Sequence, residues 1–149
     1  MEELYTDKGR VVIIRVIESN GGKAKEAKDK DSVDILSTGK TSTAAIEVKD
    51  RRDGNYSSTR IEKIGGQIIE KLKYDRMNDK FKQYYDKLMF AAVYTDYIYI
   101  WDVTDSDFNW EWKWLPNSTV EDKGWSLKEV AYLHIYDAVA KYNTHKYEI

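Results

Sequence analysis

The sequence predicts an α/β domain built around one central sheet, and three observations carry that reading. The stretch Asp34–Lys49, DILSTGKTSTAAIEVK, reads as two strands joined by a polar turn at Ser37–Thr41. Leu88–Tyr94 and Tyr97–Val103 are short runs with apolar residues on both faces, the pattern of strands covered on both sides. Helix start and stop signals flank these runs.

The first element is expected as a helix from Asp7 to Ser19. Thr6 or Asp7 stands at its N-cap and Asn20-Gly21-Gly22 stops it, although its β-branched middle (Val11–Ile17) also suits a strand. Lys23–Lys28 reads as a short edge strand, and Lys28–Ser32 as a polar turn into the hairpin. In Val33–Leu36 and Thr43–Lys49 side chains alternate between faces. Glu47 and Lys49 therefore share one face, and Ile46 and Val48 the other. The hairpin brings Asp34 beside Glu47 and Lys49, so that two carboxylates and an ammonium meet at an apolar sheet edge. Such a gathering is costly without a cation or a reaction to use it.

After the charged loop Asp50–Asn55, Ser57, Ser58 or Thr59 caps a helix expected to end near Arg76. Ile61, Ile64, Ile68 and Leu72 line its apolar face, Gly65-Gly66 lies inside it, and Arg60, Lys63, Gln67 and Lys71 make a polar, basic stripe. Met77–Lys87 reads as a short helix and loop. Phe108–Trp114 alternates strictly and is expected as a half-buried strand with four aromatics on one face, ended by Pro116. A capping box at Ser126–Glu129 opens a last helix to about Tyr142, with Leu127, Val130, Ala131, Ala138 and Tyr142 inward.

The 149 residues are expected to form one domain, residues 1–104 as core and 105–149 as an aromatic strand and helix extension. Net charge is −2, so a polyanion site must come from local clustering. The chain has no cysteine, which excludes disulfides, thiolate metal sites and cysteine nucleophiles. It has neither a signal-peptide pattern nor a run of about 20 apolar residues, and the expectation is an intracellular, cytoplasmic protein without a membrane partner.

Val-Asp-Ile-Leu (33–36), a short polar turn and Ala-Ile-Glu-Val-Lys (45–49) together resemble the PD-(D/E)XK nuclease superfamily, the restriction-endonuclease-like fold. The resemblance is nearest to Holliday junction resolvases and small restriction or homing endonucleases, and covers about the first half of the chain. It implies an αβββαβ core, an order that the elements read above follow. It also implies a divalent-metal-dependent DNA endonuclease, with Mg²⁺ or Mn²⁺ as cofactor, DNA as partner and a homodimer as the working unit. Asp34, Glu47 and Lys49 take the catalytic places, and Asp34, Glu47 and the Val48 carbonyl those of the metal ligands. Two departures stand out. The family's proline before the aspartate is Val33. Resolvase-like members carry a glutamate a few residues after a Lys-Gly pair; here Lys8-Gly9 is followed by apolar residues around Ile13, with Asp7 and Glu18 off the expected spacing.

The chemistry suits the residues. Hard divalent ions prefer carboxylate oxygens, and a lysine beside them orients or deprotonates water, or stabilises developing charge. Arg51, Arg52, Ser57, Ser58, Arg60, Lys63, Gln67 and Lys71 form the expected DNA-binding set, with a solvated helix face and plain capping as the competing account. Trp110, Trp112 and Trp114 suit a core or dimer interface better than base stacking. His134 reads as a satisfied core residue and His145 as a loose terminal one. The rival function is a catalytically inactive nuclease-fold module that binds DNA or a DNA-processing protein. A plain interaction domain, with Glu47 and Lys49 as an ordinary ion pair, is the third reading.

Overall fold

The computed structural model describes residues 8–28, 32–117 and 124–148. Helix α1 (Lys8–Ser19) leads into an antiparallel meander of β1 (Lys23–Glu26), β2 (Ile35–Thr38) and β3 (Thr43–Asp50). A crossover follows, made of α2 (Ser58–Lys63), β4 (Gln67–Glu70) and α3 (Lys71–Phe81). It returns the chain as β5 (Lys87–Val93), parallel to β3, and β6 (Tyr97–Asp102) pairs back on β5. The rest comprises β7 (Glu111–Pro116), β8 (Trp125–Leu133), a single 3₁₀ turn (Ile135–Asp137), β9 (Ala140–Asn143) and α4 (Thr144–Tyr147).

The six-stranded sheet runs β1-β2-β3-β5-β6-β9 and is mixed; a second sheet runs β4-β8-β7. The fold is thus α/β, as the sequence predicts. Central position explains the two-sided apolar character of β5 and β6. One face packs Val12, Ile13 and Val16 of α1 against Ile35, Ile46, Val48, Val93 and Ile98, with Tyr147 of α4 closing the cluster. The other packs Ala45, Leu88, Phe90 and Trp101 against Tyr74 and Met77 of α3 and Ala131 and Leu133 of β8. Among the described residues no helix is long and apolar enough to cross a membrane.

Two expected helices are corrected. The helix expected from Ser57 to near Arg76 stops at Lys63. Gly65 and Gly66 adopt φ of +114° and +110°, a region that L side chains avoid. A Cβ on Gly66 would lie 2.8 Å from the Leu133 carbonyl oxygen, so close passage along β8 also requires glycine there. Beyond the break the chain pairs as β4 with β8. The expected stripe Arg60, Lys63, Gln67, Lys71 therefore spans three elements and is no continuous face. The last helix, expected over Ser126–Tyr142, is instead β8, a 3₁₀ turn and β9. Glu129–Leu133 carries β-branched and aromatic residues, and pairing on both edges with β4 and β7 outweighs the capping-box signal.

The aromatic strand is shorter than expected. Phe108 and Trp110 precede it and pack their rings 5.2 and 5.9 Å from that of Tyr74, while Trp112 and Trp114 are exposed. The expected cap at Thr6 or Asp7, and most of the turn before the hairpin, lie outside the described residues.

Candidate functional site

The hairpin register determines the site. Its last ladder pair is Ile35↔Ile46, so one step further sets Asp34 opposite Glu47, on the sheet face that also carries Lys49. Beyond that point β2 has diverged from β3, and the Asp34 carboxylate fills the place of a ladder partner: its Oδ2 accepts the Val48 N–H at 2.8 Å. In a strand the N–H and C=O of one residue point to the same side. The Val48 carbonyl is therefore turned toward the Asp34 side as well.

Asp34 and Glu47 are both buried. Arg10 of α1 donates to Asp34 Oδ1 from Nε (3.1 Å) and from a terminal nitrogen (2.8 Å), and its other terminal nitrogen lies 3.5 Å from Glu26. Lys73 of α3 donates to Glu47 Oε2 at 3.2 Å, and Lys49 Nζ stands 3.7 Å from the same oxygen. Glu47 Oε1 has no hydrogen-bond partner among the described residues and is not sealed from solvent.

These contacts shift the ionisation of the group. Burial, and next the charge of Asp34, push the Glu47 carboxyl up to about 6, while Lys73 and Lys49 pull the other way. Burial, then the neighbouring charge of Lys73, lowers Lys49 from the usual lysine range, against the pull of Glu47. For Lys73 burial favours the neutral form, but the charge and hydrogen bond of Glu47 outweigh it and leave the group raised. The two lysines thus divide: Lys73 is the held cation, and Lys49 is the one readier to release a proton.

Glu47, Lys49 and Lys73 line a cleft of about 300 Å³ between the main sheet and the β4-β8-β7 layer. Arg51, Lys128, Glu70 and Leu115 complete its charged and apolar rim. Four cations (Lys49, Arg51, Lys73, Lys128) face two carboxylates (Glu47, Glu70), an excess that attracts an anion.

The remaining predicted positions are dispersed. Arg52 is forked onto Asp50 at 2.9 and 2.7 Å. Ser57 caps α2 by accepting the Arg60 N–H. Ser58 is buried, its N–H and hydroxyl both donating to Asp96 at 2.9 and 2.8 Å. Arg60 stacks over the Tyr56 ring at 4.3 Å. Lys63 is exposed at the end of α2. Gln67 is buried and accepts the Tyr94 hydroxyl at 2.9 Å. Lys71 pairs with Asp75 on its own helix at 2.8 Å. Ser58 and Gln67 are thus taken up by internal bonds and are not presented to a phosphate backbone. His134 is half-buried, within 2.8 Å of Glu62.

Arg10, Lys73 and Lys128 are site residues that sequence reasoning missed. Each is one basic residue among 24, and no local spacing marks it; only the crossover and the β8 pairing bring them in.

Two carboxylates and a backbone carbonyl suit a hard ion that keeps several waters, as Mg²⁺ does with one or two protein carboxylates. Among the described residues no three His, Cys, Asp or Glu side chains gather to hold a metal without such help. Arg10 and Lys73 each already neutralise one of the two acids, so an ion competes with them for the same oxygens.

Compared with protein-family models, the chain matches none, and no curated protein matches its sequence.

Proposed function

We propose that the chain is a divalent-metal-dependent DNA endonuclease of the PD-(D/E)XK type, its α1–β1–β2–β3–crossover–β5 segment serving as a restriction-endonuclease-like core. The observation that carries this reading is that Asp34 stands opposite Glu47 at the open end of the hairpin, while Glu47 and Lys49 line a cleft with an excess of cations. Support for the core comes from element order and from the parallel β3–β5 pair.

Asp34, Glu47 through Oε1 and the Val48 carbonyl would hold Mg²⁺ or Mn²⁺, which when bound supplies charge neutralisation at the phosphate and a more acidic water. The protein's own groups do the rest. Arg51 and Lys128 attract and seat the phosphodiester at the cleft rim. Lys49, with its proton loosened by burial and by Lys73, accepts the proton of the attacking water. Lys73 fixes the Glu47 carboxylate by hydrogen bond and keeps its charge tolerable in a buried place.

Cleavage of supercoiled plasmid and of branched DNA with Mg²⁺, by the wild type and by Glu47→Ala, tests the reading. Cleavage only by the wild type is expected; equal cleavage by both proteins removes the assignment.

A second reading, a catalytically inactive nuclease-fold binding module, is favoured by one contact: the Arg10 guanidinium occupies Asp34 as a cation would. Calorimetry with Ca²⁺ separates the two. Absence of heat, with DNA binding retained, supports the module.

A further inference from the structure

The β7–β8 hairpin has two unlike faces. Its register pairs Trp112 with Glu129, Trp114 with Leu127 and Pro116 with Trp125, and antiparallel partners share a face. Lys113, Leu115 and Lys128 occupy the opposite face, and two of them line the cleft. The outer face is therefore a row of Trp112, Trp114, Leu127 and Trp125, exposed by 64, 62, 47 and 64 %. Leu72, 61 % exposed at the start of α3, extends it through a shallow depression shared with Trp112 and Leu127.

A large aromatic side chain offers up to about 250 Å², so at these exposures the three tryptophans and two leucines present about 600 Å² of apolar surface. That stands at the upper end for the largest patch on a soluble monomer, and is most of the roughly 800 Å² that each partner contributes to a standard interface.

The charges around the row identify the occupant. At its edge Lys71 pairs with Asp75 at 2.8 Å, and Glu129 stands beside Trp112. The rim thus carries one base, already paired, and two acids, whereas a surface that stacks single-stranded bases carries uncompensated cations. An apolar centre with a rim of both signs is self-complementary, which a two-fold contact requires because the same patch serves both partners.

We propose that this face of the β7–β8 hairpin is the interface through which two copies of the chain associate. The proposal does not rest on the nuclease reading. The opposite side of each hairpin roofs its own cleft, so the contact joins two clefts through their shared roof.

Light scattering after gel filtration, across a dilution series of the full chain, tests it. The wild type is expected at about twice the 17.5 kDa of one chain, with Trp114→Lys and Trp125→Lys shifting the mass to that of the monomer while circular dichroism and the melting temperature stay those of the wild type. Should Trp114→Lys fail to fold, Trp125→Lys at the far end of the hairpin provides the same comparison. A wild type that is monomeric throughout overturns the proposal, as does a dimer undiminished in the folded variants. Quenching of tryptophan emission by a deoxythymidine oligomer, with the protein still monomeric, likewise overturns it and assigns the face to nucleic acid.

Discussion

Lys73 Nζ reaches Glu47 Oε2 at 3.2 Å from α3, the last element of the crossover. The contact sets both the charge and the orientation of a buried carboxylate. Replacing Lys73 by Met removes the neighbour that most strongly favours ionised Glu47, so the Glu47 carboxyl is expected to titrate above about 6. Carbon-detected NMR of the Glu47 side chain reads this directly; a titration that stays put or falls would show that Lys73 does not hold the charge.

Stability should depend on the same group. Glu47 is raised in the folded protein from the ordinary 4.5 to about 6, so the folded state binds its proton more tightly than the unfolded one. Its favourable contribution is complete below about 4.5 and is lost as pH rises through about 6, a change on the order of 2 kcal/mol. In Glu47→Gln that loss disappears. Urea midpoints on either side of this window, wild type against variant, measure it.

If the nuclease reading holds, activity has the opposite pH dependence. Metal and phosphate chemistry need the ionised carboxylate, so cleavage is expected to rise as pH passes through about 6. Glu47→Ala is expected to lower it by about a hundredfold or more. Nicking rates of supercoiled plasmid over a pH series supply both observations.

Arg10 and Asp34 make a partly buried fork whose two ends have different consequences. Arg10→Met leaves a buried carboxylate with only the Val48 N–H, and should cost about 2–3 kcal/mol of stability. The same change removes a competing cation, so Ca²⁺ affinity is expected to rise. Chemical denaturation and calorimetry on one variant test the two signs separately; weaker Ca²⁺ binding would contradict the competition.

Gly66→Ala places a side chain at a φ of +110° and a Cβ 2.8 Å from the Leu133 carbonyl oxygen. A loss of about 2 kcal/mol or more is expected from conformational strain, with further loss from displacing β8. Gly65→Ala meets nothing nearer than the Tyr132 ring at 3.7 Å, so strain is its only cost and its effect should be smaller. Thermal unfolding of the two variants ranks them.

Much of the first half was legible because its signals are local. The Asn20-Gly21-Gly22 stop ends α1, and alternation with a polar turn gave the β2–β3 hairpin and so the placing of Asp34 opposite Glu47. The crossover was misread because Ile61, Ile64, Ile68 and Leu72 keep helical spacing across a break made by Gly65-Gly66. Spacing alone does not show that β8 needs those glycines to pass. The last third was misread for a related reason. Leu127, Val130 and Ala131 satisfy a helical stripe, but the neighbours that make them strand residues are β4 and β7, far away in sequence. Arg10 and Lys73 were invisible as site residues because long-range packing brings them there.

The β4–β8 pairing has a consequence for biogenesis. Its register joins Glu70 to Val130 and Gln67 to Leu133, partners 60 and 66 positions apart, and β9 closes the main sheet later still. A nascent chain that has emerged as far as β6 holds the Glu47 hairpin but lacks the strand that anchors its crossover. Assembly must wait for β8 and β9, and until then the apolar β5–β6 pair is exposed to chaperones and to neighbouring copies.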